Sequence, residues 1–88
     1  MRVTILYRSQ SEHERSVLEF ERDYNHQTGR DLELVDLNTI EGSNLAELYD
    51  IVRYPAILAT TDDGALLQLW QGEILPLMSD VTFYDRTQ

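Results

Sequence analysis

Short apolar runs separated by polar turns divide the chain into alternating strands and helices. Val3–Tyr7 is apolar at nearly every position, which is typical of a strand buried on both faces. Leu32–Leu37 alternates only in part, and this pattern predicts a second strand nearer the edge of a sheet. Ala56–Thr60 and Ala65–Trp70 are predicted to pair as a hairpin, because the turn between them contains the dipeptide Asp63-Gly64.

The first predicted helix covers Glu12–Thr28. Ser11 and Glu14 have the spacing of a capping box, in which Ser11 is the N-cap and the Glu14 side chain reaches back to it. Charged residues lie on the outer side of this helix. Apolar residues recur at helical spacing along it and are expected to face the core: Val17, Phe20 and Tyr24.

Two shorter helices are predicted in the second half of the chain. Asn44 is expected to cap the first of them after a loop at Glu41-Gly42-Ser43. This helix must end before Pro55, because proline disfavours the helical conformation of the residue that precedes it. Pro76 suits the first turn of the last helix. The apolar residues expected on one face are Leu45, Leu48, Tyr49 and Val52 in the former helix and Leu77, Met78, Val81 and Tyr84 in the latter.

The predicted elements follow the order β-α-β-α-β-β-α, which places the chain in the α/β class. Two strands joined through a helix are normally parallel with a right-handed crossover, and the last two strands form the hairpin. The expected architecture is a four-stranded mixed sheet with helices on both faces. A chain of 88 residues buries only about 60–65% of the surface that it exposes when unfolded, so a single domain over residues 1–88 is expected.

Charge and hydropathy exclude several classes of function. The chain has 7 cationic residues, all of them arginine, against 16 acidic ones, and its formal net charge is -9. This balance argues against binding to nucleic acid and to anionic membrane surfaces. No apolar run is long enough to cross a bilayer, and Met1–Arg8 lacks the apolar stretch of a secretory signal, so a cytoplasmic protein is expected.

Cysteine is absent from the chain, which excludes disulfides, thiolate nucleophiles and thiolate metal sites. Glu12, His13 and Glu14 have metal-ligand chemistry, but successive helical residues point about 100° apart and a metal site needs three or four convergent ligands. We interpret the two carboxylates as residues that the helix dipole stabilises. Neither a metal nor another cofactor is expected.

The stretch Tyr49–Leu58, followed by Asp62-Asp63-Gly64 and then Gly72, resembles the thioredoxin superfamily and in particular its glutaredoxins. It contains counterparts of the family's helix, of its cis-proline at Pro55, of its hairpin glycine and of the glycine after the last strand. The resemblance covers essentially the whole chain and implies the minimal thioredoxin fold.

The redox chemistry of that family does not carry over to this sequence. Thioredoxins and glutaredoxins place one or two cysteines between the first strand and the first helix, at positions that correspond here to Glu12 and Arg15. A carboxylate at a helix N-terminus is stabilised as a thiolate would be, but it cannot form a mixed disulfide. The resemblance therefore implies a redox-inactive member without thiol–disulfide oxidoreductase activity.

The same resemblance implies a binding groove where two strands end. Ser9–Glu12 and Tyr54-Pro55 are expected to be neighbours, and in this family the residue before the proline presents its main-chain N–H and C=O to an extended peptide or to glutathione. We interpret the chain as an interaction module, rather than an enzyme, whose partner is a protein, a peptide or a second copy of itself. The candidate site residues are Ser9, Ser11, Glu12, His13, Arg15, Tyr54, Pro55 and Trp70, with Arg8 as a further source of selectivity.

Two alternative hypotheses stay open. In glutathione transferases this fold binds glutathione, and a hydroxyl takes the place of the cysteine. Tyr7 is the candidate for that hydroxyl here. Gly72 and Glu73 match only part of the turn with which glutaredoxins bind glutathione. Thioredoxin-like clock and sensor-kinase input domains also lack the cysteine pair and act through protein contacts. Ser9 and Ser11 lack a His/Asp relay, so a serine nucleophile is not expected.

Overall fold

Residues 2–72 and 74–85 are described by a computed structural model of the chain. The strands are β1 (Arg2–Tyr7), β2 (Glu33–Asp36), β3 (Ala56–Thr60) and β4 (Leu66–Gln71), and the helices are α1 (Glu14–Thr28), α2 (Ile40–Leu48) and α3 (Met78–Tyr84). Their order is the predicted β-α-β-α-β-β-α. None of the helices in these ranges is long and apolar enough to cross a membrane.

The four strands form one mixed sheet in the order β2-β1-β3-β4. β1 runs parallel to β2 and antiparallel to β3, and β3 pairs with β4 as the predicted hairpin. β2 lies at one edge of the sheet, in agreement with its partial alternation. β3 lies in the interior, and all five of its residues are buried, which suits its uninterrupted run of small and apolar side chains.

Helices cover both faces of the sheet, and an apolar cluster fills each interface. α1 and α3 pack over one face, and α2 packs over the other. Residues of β3 alternate between the two clusters, because Ile57 and Ala59 join the first while Ala56 and Leu58 join the second. A large apolar side chain that is fully buried contributes about 1.5–3 kcal/mol to folding. The α1 residues predicted to face the core all lie in the first cluster: Val17, Phe20 and Tyr24.

The predicted capping box at the start of α1 is wrong. The helix begins later, at Glu14, and its N-cap position is His13, which has no side-chain cap. The Ser11 hydroxyl donates instead to the carbonyl of Arg8 at 2.6 Å, so it stabilises the preceding loop rather than the helix. The Glu14 side chain does reach back, but it accepts from the N–H of Gln10 at 3.3 Å.

The start of α2 also differs from the prediction. Thr39, not Asn44, is the N-cap, and its hydroxyl oxygen accepts from the N–H of Gly42 at 3.0 Å. A threonine at this position satisfies one of the free N–H groups in the first turn. Residues 41–43, which were expected to form a loop, therefore belong to the helix.

The apolar face of α2 is displaced from the predicted one. The helix ends at Leu48, and the side chains of Leu48 and Val52 are exposed rather than buried. Asp50, with φ 56°, turns the chain after the helix, and Ile51 takes the buried position against the sheet. The other members of the predicted face do pack against this cluster: Leu45 and Tyr49.

The last helix, α3, begins at Met78, so Pro76 precedes it instead of opening it, and Leu77 is exposed rather than inward. Its end is tied to α1 by a hydrogen bond that the Tyr24 hydroxyl donates to the Asp85 carboxylate at 2.8 Å. Burial and this hydrogen bond raise the pKa of Tyr24 to about 12, so the hydroxyl keeps its proton at neutral pH.

Gly42 determines how closely α2 approaches the end of β2. A Cβ added at this buried glycine would lie 2.2 Å from the carbonyl oxygen of Asp36 and 2.8 Å from the Cα of Leu37. Both contacts are with main-chain atoms, which cannot rotate away as the end of a side chain could. The close approach therefore requires glycine inside a helix, where glycine is otherwise among the poorest residues.

Gly42→Ala is expected to lower the free energy of unfolding by about 1–3 kcal/mol, because the cost of overpacking exceeds a gain of about 1 kcal/mol in helix propensity. Urea denaturation followed by circular dichroism measures the change. Ser43→Ala, at the next and exposed position of the same helix, is the matched control and is expected to be neutral or mildly stabilising. A Gly42→Ala protein as stable as the wild type would contradict the close approach.

Candidate functional site

Before α1 the chain forms a loop, residues 8–13, that is held by its own hydrogen bonds. The N–H of Arg8 donates to Nε2 of His13 at 3.0 Å, and the Ser11 hydroxyl donates to the Arg8 carbonyl at 2.6 Å. A ring nitrogen that accepts a hydrogen bond is unprotonated, so the first contact requires the neutral form of His13. Side-chain contacts, rather than regular secondary structure, thus give the loop its shape.

A second set of hydrogen bonds ties the same loop to the end of β2. Asp36 Oδ1 accepts from the N–H of Ser9 at 3.3 Å and from that of Asn38 at 2.9 Å. The Asn38 side-chain amide in turn donates to the Ser9 hydroxyl at 3.1 Å. Hydrogen bonding from the Ser9 side chain and from the Asn38 main chain holds the pKa of Asp36 below its usual value. Asp36 is therefore an ionised acceptor that anchors the loop.

Gln71, in β4, holds the segment that leads into Pro55. Its side-chain oxygen accepts from two successive N–H groups, those of Val52 at 3.0 Å and Arg53 at 3.2 Å. The Pro55 carbonyl accepts from the N–H of Gly72 at 3.1 Å. The segment therefore has a fixed path although it has no regular secondary structure.

Tyr54-Pro55 lies where this segment enters β3. The peptide bond between the two residues is cis, and Pro55 is fully buried. The Tyr54 ring is half-buried, and its hydroxyl donates to the Ile51 carbonyl at 3.1 Å. Among residues 2–72 and 74–85, neither the main-chain N–H nor the C=O of Tyr54 enters a hydrogen bond. This residue thus offers one donor and one acceptor at the entrance to β3.

Loop 8–13 and Tyr54-Pro55 face each other across two adjoining clefts, which we call the groove. One cleft, of about 330 Å³, is lined by Arg8, Ser11, Glu12, His13 and Tyr54. The other, of about 220 Å³, is lined by Glu12, His13, Ser16 and Pro55. No group of three or more His, Asp or Glu residues in the described ranges is placed to hold a metal ion. The lining of the groove is mostly polar, with hydroxyl, carboxylate, imidazole and guanidinium side chains beside Tyr54 and Pro55.

Five of the predicted site residues meet in the groove: Ser11, Glu12, His13, Tyr54 and Pro55. The other three lie elsewhere. Ser9 is tied to the end of β2. Arg15 is almost fully exposed, forms an ion pair with Glu19 at 3.4 Å and lines a different depression along α1. Trp70 packs on the α1/α3 face of the sheet, with its ring 5.6 Å from that of Tyr84.

Neither the hydropathy pattern nor the family resemblance predicts three residues that shape the groove: Asp36, Asn38 and Gln71. Each contacts a segment that is remote along the chain: Asp36 is 27 positions from Ser9, and Gln71 is 19 positions from Val52. A glutamine at the end of a strand has no distinctive local pattern. The one available signal is the aspartate that interrupts the apolar run of the second strand.

Comparisons with known proteins bear on the fold alone. No family model matches the chain, and no curated protein matches it. Among solved structures, thioredoxin 1 from the thermophilic eubacterium Thermosipho africanus is similar, with a TM-score of 0.65 and 12% sequence identity over 97% of this chain and 90% of that protein. The chain therefore has a thioredoxin-like fold in the predicted minimal arrangement, and it contains no cysteine.

Asp36 is expected to make stability depend on pH in the acid range. The pKa of Asp36 is lower in the folded chain than in the unfolded one, where it is about 4. The contribution of Asp36 to the free energy of unfolding is therefore fully present above the unfolded pKa, and it is lost as the pH falls through the folded pKa. Asp36→Asn keeps the acceptor oxygen and removes this titration. The stability advantage of the wild type over this variant is therefore expected to shrink as the pH falls below about 4.

Urea denaturation of both proteins, from neutral pH down to about pH 2, measures this difference. Asp63, whose pKa is lowered by hydrogen bonding from Thr61, is present in both proteins and cancels. Asp23→Asn, at an exposed position of α1, controls for the change in net charge. A difference between wild type and Asp36→Asn that is constant over the whole range would refute the anchoring role.

Proposed function

We propose that this chain is a redox-inactive thioredoxin-like domain that binds an extended peptide segment of a protein partner in the groove. The observation that carries the proposal is the Tyr54 main chain, whose N–H and C=O have no hydrogen-bond partner among the described residues. A loop of fixed shape lies across from it, with hydroxyl and charged side chains. Because the chain has no cysteine, thiol–disulfide exchange is excluded as the use of this surface.

An extended peptide is the ligand whose chemistry fits Tyr54. A strand that pairs with one residue accepts from its N–H and donates to its C=O, as when a peptide adds to the edge of a sheet. Each such hydrogen bond is worth about 0.5–1.5 kcal/mol whatever the sequence of the peptide. Side chains alternate along a strand, so those on the groove side contact Arg8, Ser11 and Glu12 and determine selectivity.

Size and charge restrict the partner. The two clefts accommodate only a few side chains, whereas a stable complex usually buries about 1,200 Å² or more in total. The partner must therefore also contact surfaces next to the groove. A net charge of -9 favours a neutral or basic partner over an acidic one.

A second copy of the chain is the partner that the edge of the sheet favours. β4 is an edge strand whose sequence, Leu66–Gln71, contains no charged residue, and Leu66 and Leu67 are exposed on it. Natural edge strands usually carry charges or prolines that prevent pairing with another chain. Pairing through β4 would extend the sheet, and it is distinct from binding in the groove. The charge of -9 on each copy opposes this pairing, so the contacts of the uncharged strand must outweigh that repulsion.

Binding of glutathione with a tyrosine hydroxyl as activator is less well supported. Burial, together with the charges of Asp36 and Glu14, raises the pKa of Tyr7 at the end of β1. A raised pKa makes a phenol a weaker hydrogen-bond donor, which is the opposite of what stabilising a thiolate requires. Glu73, which corresponds to the acidic contact of the family's glutathione site, lies outside the described residues.

A peptide library selected on the intact chain tests the proposed function. Selected peptides are expected to shift the amide resonances of residues 8–13 and 52–55, because the groove lies between these segments. N-methylation of each peptide residue in turn is expected to weaken binding about tenfold at the residue that donates to the Tyr54 carbonyl, and much less at its neighbours. A uniform effect of methylation would contradict main-chain pairing.

Two variants of the chain complete this test. Tyr54→Ala is expected to lower the affinity of the chain for the selected peptides several-fold, because the Tyr54 ring lines the groove. Arg15→Ala is the matched control outside the groove and is expected to leave their affinity unchanged. The groove would be refuted if no peptide is selected. It would also be refuted if the selected peptides shift mainly the amide resonances of residues 66–71 of the chain, and that result would assign binding to the edge of β4.

Reduced glutathione, titrated to millimolar concentration, is expected to leave the amide resonances of residues 7–13 and 52–55 unchanged. Nuclear magnetic resonance is the appropriate measurement, because Trp70 packs against Tyr84 and its fluorescence would not report on the groove. Saturable shifts that Tyr7→Phe abolishes would overturn this expectation and support the glutathione alternative.

A further inference from the structure

A cavity of about 270 Å³ lies on the α2 face of the sheet, at the end of β1 opposite to the groove. It is lined by residues from β1, β2, β3 and α2 and from the turn that precedes β4. Its volume is just below the range of about 300–1,000 Å³ for drug-sized ligands, so it suits a smaller molecule or a single side chain. Its apolar lining consists of Leu45 and Leu58, and its hydroxyl-bearing residues are Thr4, Tyr49, Thr60 and Thr61.

Thr60 distinguishes this cavity from an ordinary surface depression. The residue is only 8% exposed, and its hydroxyl forms no hydrogen bond with any residue in the described ranges. Every fully enclosed side-chain nitrogen or oxygen in those ranges has a hydrogen-bond partner. The Thr60 hydroxyl must therefore open into the cavity that the residue lines. A hydroxyl that is accessible only through this cavity, and that has no protein partner, is available to hydrogen-bond a molecule bound there.

The charge around the cavity is negative. Arg2 is the only cationic residue in the described lining, and its Nη2 donates to the two carboxylate oxygens of Glu33 at 2.6 and 2.8 Å. Glu41, in the first turn of α2, forms no ion pair or hydrogen bond with any described residue. Two further carboxylates come from the turn before β4: Asp62 and Asp63. The lining therefore favours a positively charged ligand.

An organic cation fits this lining better than a metal ion. In the described ranges no three carboxylate or imidazole groups converge to hold a metal. An ammonium group has three donors, which can serve both a hydroxyl and a carboxylate without fixed coordination geometry. The methylene groups of an alkylammonium are apolar and match Leu45 and Leu58, as the stem of a lysine packs along apolar surface.

The geometry points to this cavity as a binding site for an alkylammonium group, which donates to the Thr60 hydroxyl and the Glu41 carboxylate while its methylenes contact Leu45 and Leu58. Such a group is supplied either by a free diamine or by a lysine side chain of another protein. This chain contains no lysine, so a second copy of it cannot supply that side chain. The site is separate from the groove and does not depend on peptide binding there.

Titration of the isotope-labelled full chain with cadaverine, and separately with a short lysine-containing peptide, tests this site. Either ligand is expected to shift the amide resonances of residues 2–4, 41–45 and 58–64. Glutarate, a dianion of similar length, is expected to shift none of them. If cadaverine binds more tightly than the peptide, the ligand is a free amine. If the peptide binds at least as tightly as cadaverine, the ligand is a lysine side chain. Absence of saturation by both ligands at millimolar concentration would overturn the site.

Two variants separate binding at this cavity from folding. Glu41→Gln is expected to lower the affinity for the amine about tenfold, because it removes the unpaired carboxylate. Glu47→Gln changes the same charge in the same helix outside the cavity lining, and it is expected to leave affinity unchanged. Thr60→Val keeps the shape of the side chain and is expected to weaken the amine several-fold while thermal stability is unchanged or higher.

These variants also give results that would contradict the site. Equal weakening by Glu41→Gln and Glu47→Gln would show general attraction of a cation to an acidic protein and would overturn specific binding. A Thr60→Val protein that binds the amine normally but is less stable would assign the hydroxyl to folding and refute its role as an acceptor.

Discussion

Burial of β3 on both faces is the constraint on which the rest of the structure depends. Its five residues, Ala56–Thr60, are all buried, and the strand pairs on one side with β1 and on the other with β4. Both apolar clusters contain β3 side chains, so neither layer of helices can pack without it. Pro55 precedes the strand in the groove, and Thr60 ends it in the cavity. The two proposed sites therefore lie at opposite ends of the strand that the core holds most firmly.

The groove keeps a defined shape in a chain without cysteine because hydrogen bonds hold the loop on one side of it. Loop 8–13 is held by the imidazole of His13, by the hydroxyl of Ser11 and by the carboxylate of Asp36. The N–H and C=O of Tyr54, which we propose as the binding groups, belong to the main chain and are independent of side-chain identity. The absence of cysteine excludes thiol–disulfide exchange on such a scaffold, whereas pairing with an extended chain needs only the backbone.

The strands and their order could be predicted from the sequence because apolar periodicity, proline and glycine determine them directly. The helix starts could not, since Ser11, Thr39 and Asn44 are all good caps by type and the local sequence does not decide among them. The groove was predictable where it follows the family pattern. Trp70 lies on the α1/α3 face of the sheet, away from the groove, because a strand residue faces whichever side its register dictates. The Thr60 cavity combines segments that are distant in sequence.

The hydrogen bonds from two successive N–H groups to the Gln71 side chain restrict which residues can replace it. An aliphatic residue in its place would leave both donors to the solvent, because these contacts are exposed, and the segment before Pro55 would lose its link to β4. Exposed neighbours such as Leu67 are under no comparable restriction. Descendants of this chain should therefore vary widely along the edge strand while retaining an oxygen acceptor at position 71.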